Sequence, residues 1–309
     1  MTDAPGPGLK LVFQAMACGC ELQLEGADRA VLEAAARAAV AEVQRIEHTY
    51  SRYRADSVVS RINAAAGQAG FVPVDAETAS LLRFADQLHA LSDGLFDITS
   101  GVLRRAWDFR AGRVPAGPDL QALLPLVGWH HVERSDDGVR LSQAGMELDF
   151  GGFGKEYAAD RAAAALLQAG VTHGFVNLGG DLRVLGPRAD GSPWRMGIQH
   201  PRQPGATVAT LDLAQGALAT SGDYERFFEH DGRRYCHLLD PRSGWPVEHW
   251  QSVSITAPVC VAAGAMSTIA MLKGPDALPF LQAQGADYLA VDRHGQVLLP
   301  PAGADAAGS

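Results

Sequence analysis

The run Leu148-Asp-Phe-Gly-Gly-Phe-Gly-Lys-Glu-Tyr-Ala-Ala-Asp160 sets a glycine-rich turn carrying one lysine between a strand-like segment and an alanine-rich helix. Glycines allow backbone N–H groups to approach an anion closely, and a helix N-terminus adds partial positive charge to them. Phosphate or pyrophosphate is the natural occupant of such a turn. A tight strand-to-helix bend that holds nothing reads the same way. The spacing is neither that of a Walker loop nor G-x-G-x-x-G, so the identity of any ligand must come from other parts of the chain.

A chain of 309 residues can bury a sizeable core. Its net charge of −9 argues against nucleic acid as the main partner, because phosphate backbones need a basic surface. The four cysteines, Cys18, Cys20, Cys236 and Cys260, lack the C-x-x-C spacing of zinc and redox sites and read as buried thiols. No segment approaches the roughly 20 apolar residues that span a bilayer, so direct membrane insertion is not expected. Residues 1–26 make a poor export leader: Gln14 interrupts the apolar run from Leu9 to Cys18, and Asp3 stands where a basic residue belongs. A cytoplasmic location is expected on that basis; a leader trimmed from the sequence would make the chain periplasmic or membrane-anchored.

Leu9 to Gly26 alternates as a strand or hairpin arm, and Asp28 can cap a helix through Glu47 on which Leu32, Ala36, Val40 and Val43 recur at helical spacing. Thr49 to Asn63 reads as a loop, Ala76 to Leu91 as an amphipathic helix, and Gly112 to Asp119 as a surface connection. Short strands are expected at Trp129–Val132, Val139–Leu141 and Met146–Leu148. After the glycine turn come a helix at Glu156–Gln168, strands at Gly174–Val184, Thr207–Ala214, Gln251–Thr256 and Tyr288–Val291, and helices at Val261–Leu272 and Asp276–Gln284. The order predicts an α+β fold with mixed, largely antiparallel sheets and flanking helices. A short segment 1–14 would precede one main unit over residues 15–299, with a small polar tail at 300–309 expected to be disordered.

Five further segments are too specific for scaffolding: Ala15-Met-Ala17 with Glu21; Tyr53-Arg-Ala-Asp-Ser57 running to Asn63; Gly94-Leu-Phe-Asp-Ile-Thr99; Phe175-Val-Asn-Leu-Gly-Gly-Asp181; and Ser221-Gly-Asp-Tyr-Glu-Arg226 running to Tyr235-Cys-His-Leu-Leu-Asp-Pro-Arg-Ser-Gly244. With the glycine turn, in this order, they closely resemble the ApbE-type FAD:protein FMN transferases. The resemblance implies an ApbE-like fold, FAD, a magnesium ion, and transfer of FMN to a threonine or serine hydroxyl of an acceptor flavoprotein with release of AMP. That chemistry needs a neutralised pyrophosphate and a positioned nucleophile, which backbone amides, a lysine and a divalent ion supply.

Carried over residue by residue, the resemblance sets Met16 against the flavin and Tyr53 in the flavin pocket. Leu95, Phe96 and Asp97 contact FAD, with Asp97 otherwise forming an Asx turn ahead of Thr99. Gly152 and Lys155 fall on the phosphate and metal region, where the carbonyl of Gly154 reaches the metal. His237 and Leu238 approach the cofactor, and Asp240 either orients His237 or fixes Arg242. Lys155, His237 and Asp240 are the candidate catalytic residues, while Asn177 and Asp181 read as scaffold near the site.

One motif departs from the pattern. Where the family shows A-D-A-L-(A/S)-T, this chain reads Ala263-Gly-Ala-Met-Ser-Thr268, so Gly264 stands in the place of the metal-binding aspartate. Ser267 and Thr268 remain as hydroxyl ligands. Magnesium prefers carboxylate oxygen, so the site should be weakened and Gly264→Asp should tighten it. A catalytically weakened FAD-binding protein and an FAD pyrophosphatase are the alternatives to the transferase.

Overall fold

The computed structural model describes residues 8–301. The chain opens with a hairpin of β1 (Leu9–Ala15) and β2 (Cys18–Glu25), followed by α1 (Arg29–Tyr50), α2 (Val58–Ala64), β3 (Val72–Pro73) and α3 (Ala76–Leu91). Next come α4 (Gly117–Leu123), the short strands β4 (Val132–Arg134) and β5 (Gly138–Leu141), and α5 (Gly154–Gln168). The strands β6 (His173–Leu178), β7 (Asp181–Gly186), β8 (Trp194–Gln199), β9 (Thr207–Leu213) and β10 (Gly216–Gly222) follow. The remainder is β11 (Phe227–His230), β12 (Arg233–Cys236), β13 (Trp250–Ala257), α6 (Cys260–Lys273), α7 (Ala277–Ala283), β14 (Asp287–Asp292) and β15 (Val297–Leu298).

Eight strands form one sheet in the order β1-β2-β6-β7-β10-β13-β14-β15, and every neighbouring pair is antiparallel. The expected α+β class with largely antiparallel sheets is the observed one. Side chains alternate across the strands. Val176, Leu178 and Ala217 face a core shared with Leu32, Ala36 and Val43 of α1, Ala159 and Ala163 of α5, and Ala265 and Ile269 of α6. Phe175, Leu182, Val184 and Leu218 instead pack with Trp194, Met196 and Ile198 of the β8–β9 hairpin. The main sheet is therefore covered on both faces, by helices on one and by a small hairpin on the other.

The segment 49–63 is more ordered than a loop. α1 continues to Tyr50, and α2 is capped by Ser57, whose Oγ accepts from the Ser60 amide at 2.9 Å. Met146–Leu148 forms no strand because side-chain bonds occupy its backbone. Asn63 accepts from the Leu148 amide through Oδ1 (2.7 Å) and donates to the Leu148 carbonyl through Nδ2 (3.0 Å). Trp129–His131 is a single 3-10 turn ahead of β4, and the connection 112–119 runs into α4 with Pro118 in its first turn. Most of the polar tail (302–309) and residues 1–7 of the opening segment lie outside the described residues.

α6 has no local side-chain cap, since Val259 precedes it. Asp160, the last residue of the glycine motif, supplies the cap from α5 by accepting from the amides of Cys260 (2.9 Å) and Val261 (2.8 Å). Arg183 of β7 holds the same carboxylate at 3.1 Å. Burial pushes the Asp160 carboxyl up, against the pull of the two amides and Arg183. Replacing Asp160 with Ala should cost about 2 kcal/mol, the range of a lost cap plus stranded buried donors, as measured by urea denaturation. An unchanged midpoint would show that α6 does not depend on this bridge.

Candidate functional site

The glycine turn and the start of α5 sit beside the ends of β2, β7 and β10. No side chain caps α5, because Phe153 occupies the N-cap position. The Gly154 amide donates to the Phe150 carbonyl at 2.7 Å, and the helix N-terminus adds partial positive charge beside Lys155. At Gly152 an added Cβ would lie 2.9 Å from Cζ of Phe96, so only glycine lets the Leu95-Phe96 segment close over the turn. Leu95 and Phe96 are both buried.

Lys155 forms an ion pair with Asp181 at the head of β7. Asp181 is buried and also accepts from the Thr220 amide at 3.2 Å, tying the pair to β10. Burial alone would pull the Lys155 ammonium down, but Asp181 and Glu156 more than offset it and hold the shift upward. The lysine is therefore a fixed cation at the mouth of the glycine turn. Glu156 follows it in sequence and points inward. Its carboxyl is pushed well above the usual range, first by burial and then by the charge of Asp181, which also accepts a hydrogen bond from it, with Lys155 opposing. No donor reaches its buried Oε2.

Three hydroxyls gather opposite this pair. Ser221 Oγ of β10 lies 2.8 Å from Ser267 Oγ and 2.9 Å from Thr268 Oγ1, and Ser267 donates to the Gly264 carbonyl at 2.9 Å. Gly264, Ser267 and Thr268 stand at i, i+3 and i+4 on one face of α6. Gly154 lies buried at the start of α5, next to Lys155. Among the described residues no three His, Cys, Asp or Glu side chains converge as a metal cluster.

The rim is built from three more segments. Met16 and Ala17 form the β1–β2 turn, both at positive φ (54° and 58°), a conformation that costs a non-glycine residue on the order of 1 kcal/mol. The Met16 amide donates to Glu47 Oε1 at 2.8 Å, which fixes the turn against the end of α1. Cys18, at the start of β2, is held low, at about 7, mainly by its hydrogen bond with Cys20, with burial opposing and Lys155 assisting. All four cysteines are free, and Cys18 alone of them is half-exposed. Tyr53 is 76% exposed, with Arg52 over its ring at 5.1 Å, and Arg52 pairs with Asp149 at the edge of the glycine turn. An exposed aromatic ring can stack on another flat ring.

Asp97 is engaged by the chain itself. Oδ1 accepts from the amide and hydroxyl of Thr99 (2.8 and 2.6 Å), and Oδ2 accepts from the Trp129 amide (2.9 Å). Asp240 accepts from the Arg242 amide and guanidinium at 2.9–3.1 Å, and burial of its carboxyl is outweighed by Arg242. Of the two roles open to it, Asp240 takes the one that fixes Arg242. His237 is left with a buried Nδ1 that has no partner. Burial, and then Arg226, pull its imidazole down to about 4, with a smaller push from Lys155. Leu238 packs on the second core around α6 and β13.

The structure thus joins Gly152, Gly154, Lys155, Ser267 and Thr268 with the Phe96 segment, and leaves Asp240 bound to its own turn. Sequence reasoning did not single out the side chains of Glu156 and Ser221; Asp181, read as scaffold near the site, holds Lys155 and the Thr220 amide. Ser221 did begin a motif already singled out; Glu156 carried no signal, because its partner Gly264 is far away in sequence.

Comparison with known proteins agrees with this arrangement. The profile of the ApbE family matches residues 16–290. The FAD:protein FMN transferase of Vibrio cholerae is 30% identical over 240 residues, covering 76% of this chain and 72% of the relative. That of Salmonella typhimurium is 32% identical over 234 residues, covering 72% and 67%. Among solved structures, the ApbE protein of Thermotoga maritima superposes with a TM-score of 0.88 at 32% identity, covering 96% of this chain and 97% of that one. The flavinyl transferase ApbE of Pseudomonas stutzeri, in its apo form, gives 0.83 at 31%, covering 97% and 96%. In sequence and in fold, this chain belongs to the ApbE family.

Proposed function

We propose that the protein is an FAD:protein FMN transferase that moves FMN from FAD to a serine or threonine hydroxyl of an acceptor flavoprotein, releasing AMP. The observation that carries this reading is Lys155, held charged by Asp181 at the N-terminus of α5, beside a turn that only glycine can form under Phe96. In the reaction the acceptor oxygen attacks the phosphorus on the FMN side of the pyrophosphate. A phosphoester bond forms, the bond to the bridging oxygen breaks, AMP leaves with the electron pair, and the hydroxyl proton is released.

The chain's own groups suit that displacement. Lys155 and the α5 amides face the negative charge that gathers on the pyrophosphate oxygens. Tyr53 and the Met16 turn offer surfaces for a flat ring. His237, neutral at physiological pH, can accept or donate one hydrogen bond without adding charge. The hydroxyls of Ser221, Ser267 and Thr268, with the unpartnered buried Glu156 Oε2, make an all-oxygen donor set of the kind magnesium takes. When bound there, magnesium would neutralise pyrophosphate charge. Among the described residues no helix is long and apolar enough to cross a membrane.

Purified protein incubated with FAD, Mg2+ and an acceptor domain bearing an Asp-x-x-(Ser/Thr)-Gly-Ala-Thr-like sequence should give an FMN-sized mass increase on the acceptor and one AMP per transfer. AMP and free FMN without the mass increase would replace transfer by hydrolysis, and FAD binding with neither product would leave a binding protein. Lys155→Ala should lower the transfer rate by roughly 100-fold or more, the scale of a lost charge-stabilising donor in a dry site. A loss below about threefold would remove the lysine from the reaction.

His237 predicts a pH dependence of stability. Its folded value, about 4, lies below the ordinary 6.5, so the folded protein binds this proton less readily than the unfolded chain. The stability linked to it is complete above pH 6.5 and declines as the pH falls towards 4. Denaturation midpoints of His237→Asn should fall less steeply over that window than those of the wild type, and parallel slopes would contradict the burial argument.

A further inference from the structure

We propose that Glu156, on α5, supplies the carboxylate ligand of the divalent-ion site whose expected aspartate is replaced by Gly264 on α6. The inference rests on the transferase reading and assigns a ligand within it. Three observations converge. Oε2 of Glu156 is buried, with 8% of the residue exposed, and no donor reaches it; the side-chain group bonded to the carboxyl is Asp181, itself a carboxyl. The same carboxyl group fills the space over Gly264: a Cβ built there would lie 2.9 Å from both Cδ and Oε1 of Glu156. On that face of α6, Ser267 and Thr268 present hydroxyls already gathered with Ser221.

Charge points the same way. Lys155 is committed to Asp181, so a second carboxylate buried beside them has no cation of its own. A buried, unpaired carboxylate is costly unless a partner arrives. A hard divalent cation satisfies the orphaned oxygen and the hydroxyls together. The pairing of residues is reciprocal. An aspartate at 264 and a glutamate at 156 would compete for one volume, so a chain with Glu156 requires glycine at 264. This reverses the expectation that Gly264→Asp alone would tighten the site: with Glu156 in place, the new side chain has nowhere to go.

The test titrates the full-length protein with Mn2+, following the free-ion EPR signal, and measures FAD binding separately in EDTA by flavin fluorescence. Glu156→Gln, which keeps shape and removes charge, should weaken Mn2+ roughly 10- to 100-fold while FAD affinity in EDTA stays within about twofold. Gly264→Asp alone should lower the melting temperature and bind Mn2+ no better than the wild type. The double variant Glu156→Gly/Gly264→Asp moves the carboxylate to α6 and should restore both melting temperature and Mn2+ affinity to within about threefold of wild type. Equal affinities for wild type and Glu156→Gln would overturn the assignment, as would wild type that binds no Mn2+, or a double variant no better than Glu156→Gln. Glu156-dependent Mn2+ binding without FMN transfer to any acceptor would leave the ligand standing and remove only the transferase reading.

Discussion

The close crossing of α5 against α6 is the constraint on which the site depends. Asp160 holds the start of α6 through two amides, and one turn earlier on the same helix Glu156 lies directly against Gly264. Two helices can approach so closely only where one presents no side chain. The crossing brings the lysine of one helix and the hydroxyls of the other to the same end of the sheet. β7 and β10 complete it, with Asp181 taking the lysine and Ser221 the hydroxyls.

The electrostatics follow from that geometry. Lys155, Asp181 and Glu156 are largely buried together, one cation with two potential anions. The lysine remains charged because its partner is fixed to β10, and the surplus falls on Glu156. His237 and Arg226 stand on the other side, with burial keeping the imidazole neutral. The cradle therefore holds one fixed ion pair, Lys155 with Asp181, and a second buried carboxyl that no donor reaches through Oε2. Preorganised charge in a site of low dielectric is the form of stabilisation that displacement at a pyrophosphate needs.

Much of the fold was legible because its longer elements announce themselves. Ala76–Leu91 carries an amphipathic stripe between Asp75 and Ser92-Asp93-Gly94, and the helix observed has those bounds. α5 was similarly visible, whereas Leu9 to Gly26, read as one strand or hairpin arm, folds back at Met16–Ala17 into two. Met146–Leu148 misled because its alternation is that of a strand, while Asn63, distant in sequence, binds the backbone that a neighbouring strand would have paired. β10 escaped because Gly216–Gly222 is made of small residues with one leucine, and β11 and β12 because charges break their short alternation. At the site, local chemistry showed the glycine turn and Lys155. The departure at Gly264 was also visible, but its meaning was not, since a missing side chain is interpretable only beside the one that fills its space. Glu156 looked like an ordinary first-turn acid, favourable to any helix dipole.

With Gly264 on α6, the carboxylate proposed for the divalent ion is that of Glu156 on α5. Anomalous diffraction from crystals grown with Mn2+ and FAD tests it most directly. One peak is expected about 2.2 Å from a Glu156 oxygen, on the face of α6 that carries Thr268. A peak held by Thr268 and phosphate oxygens, with Glu156 turned away and protonated against Asp181, would contradict it.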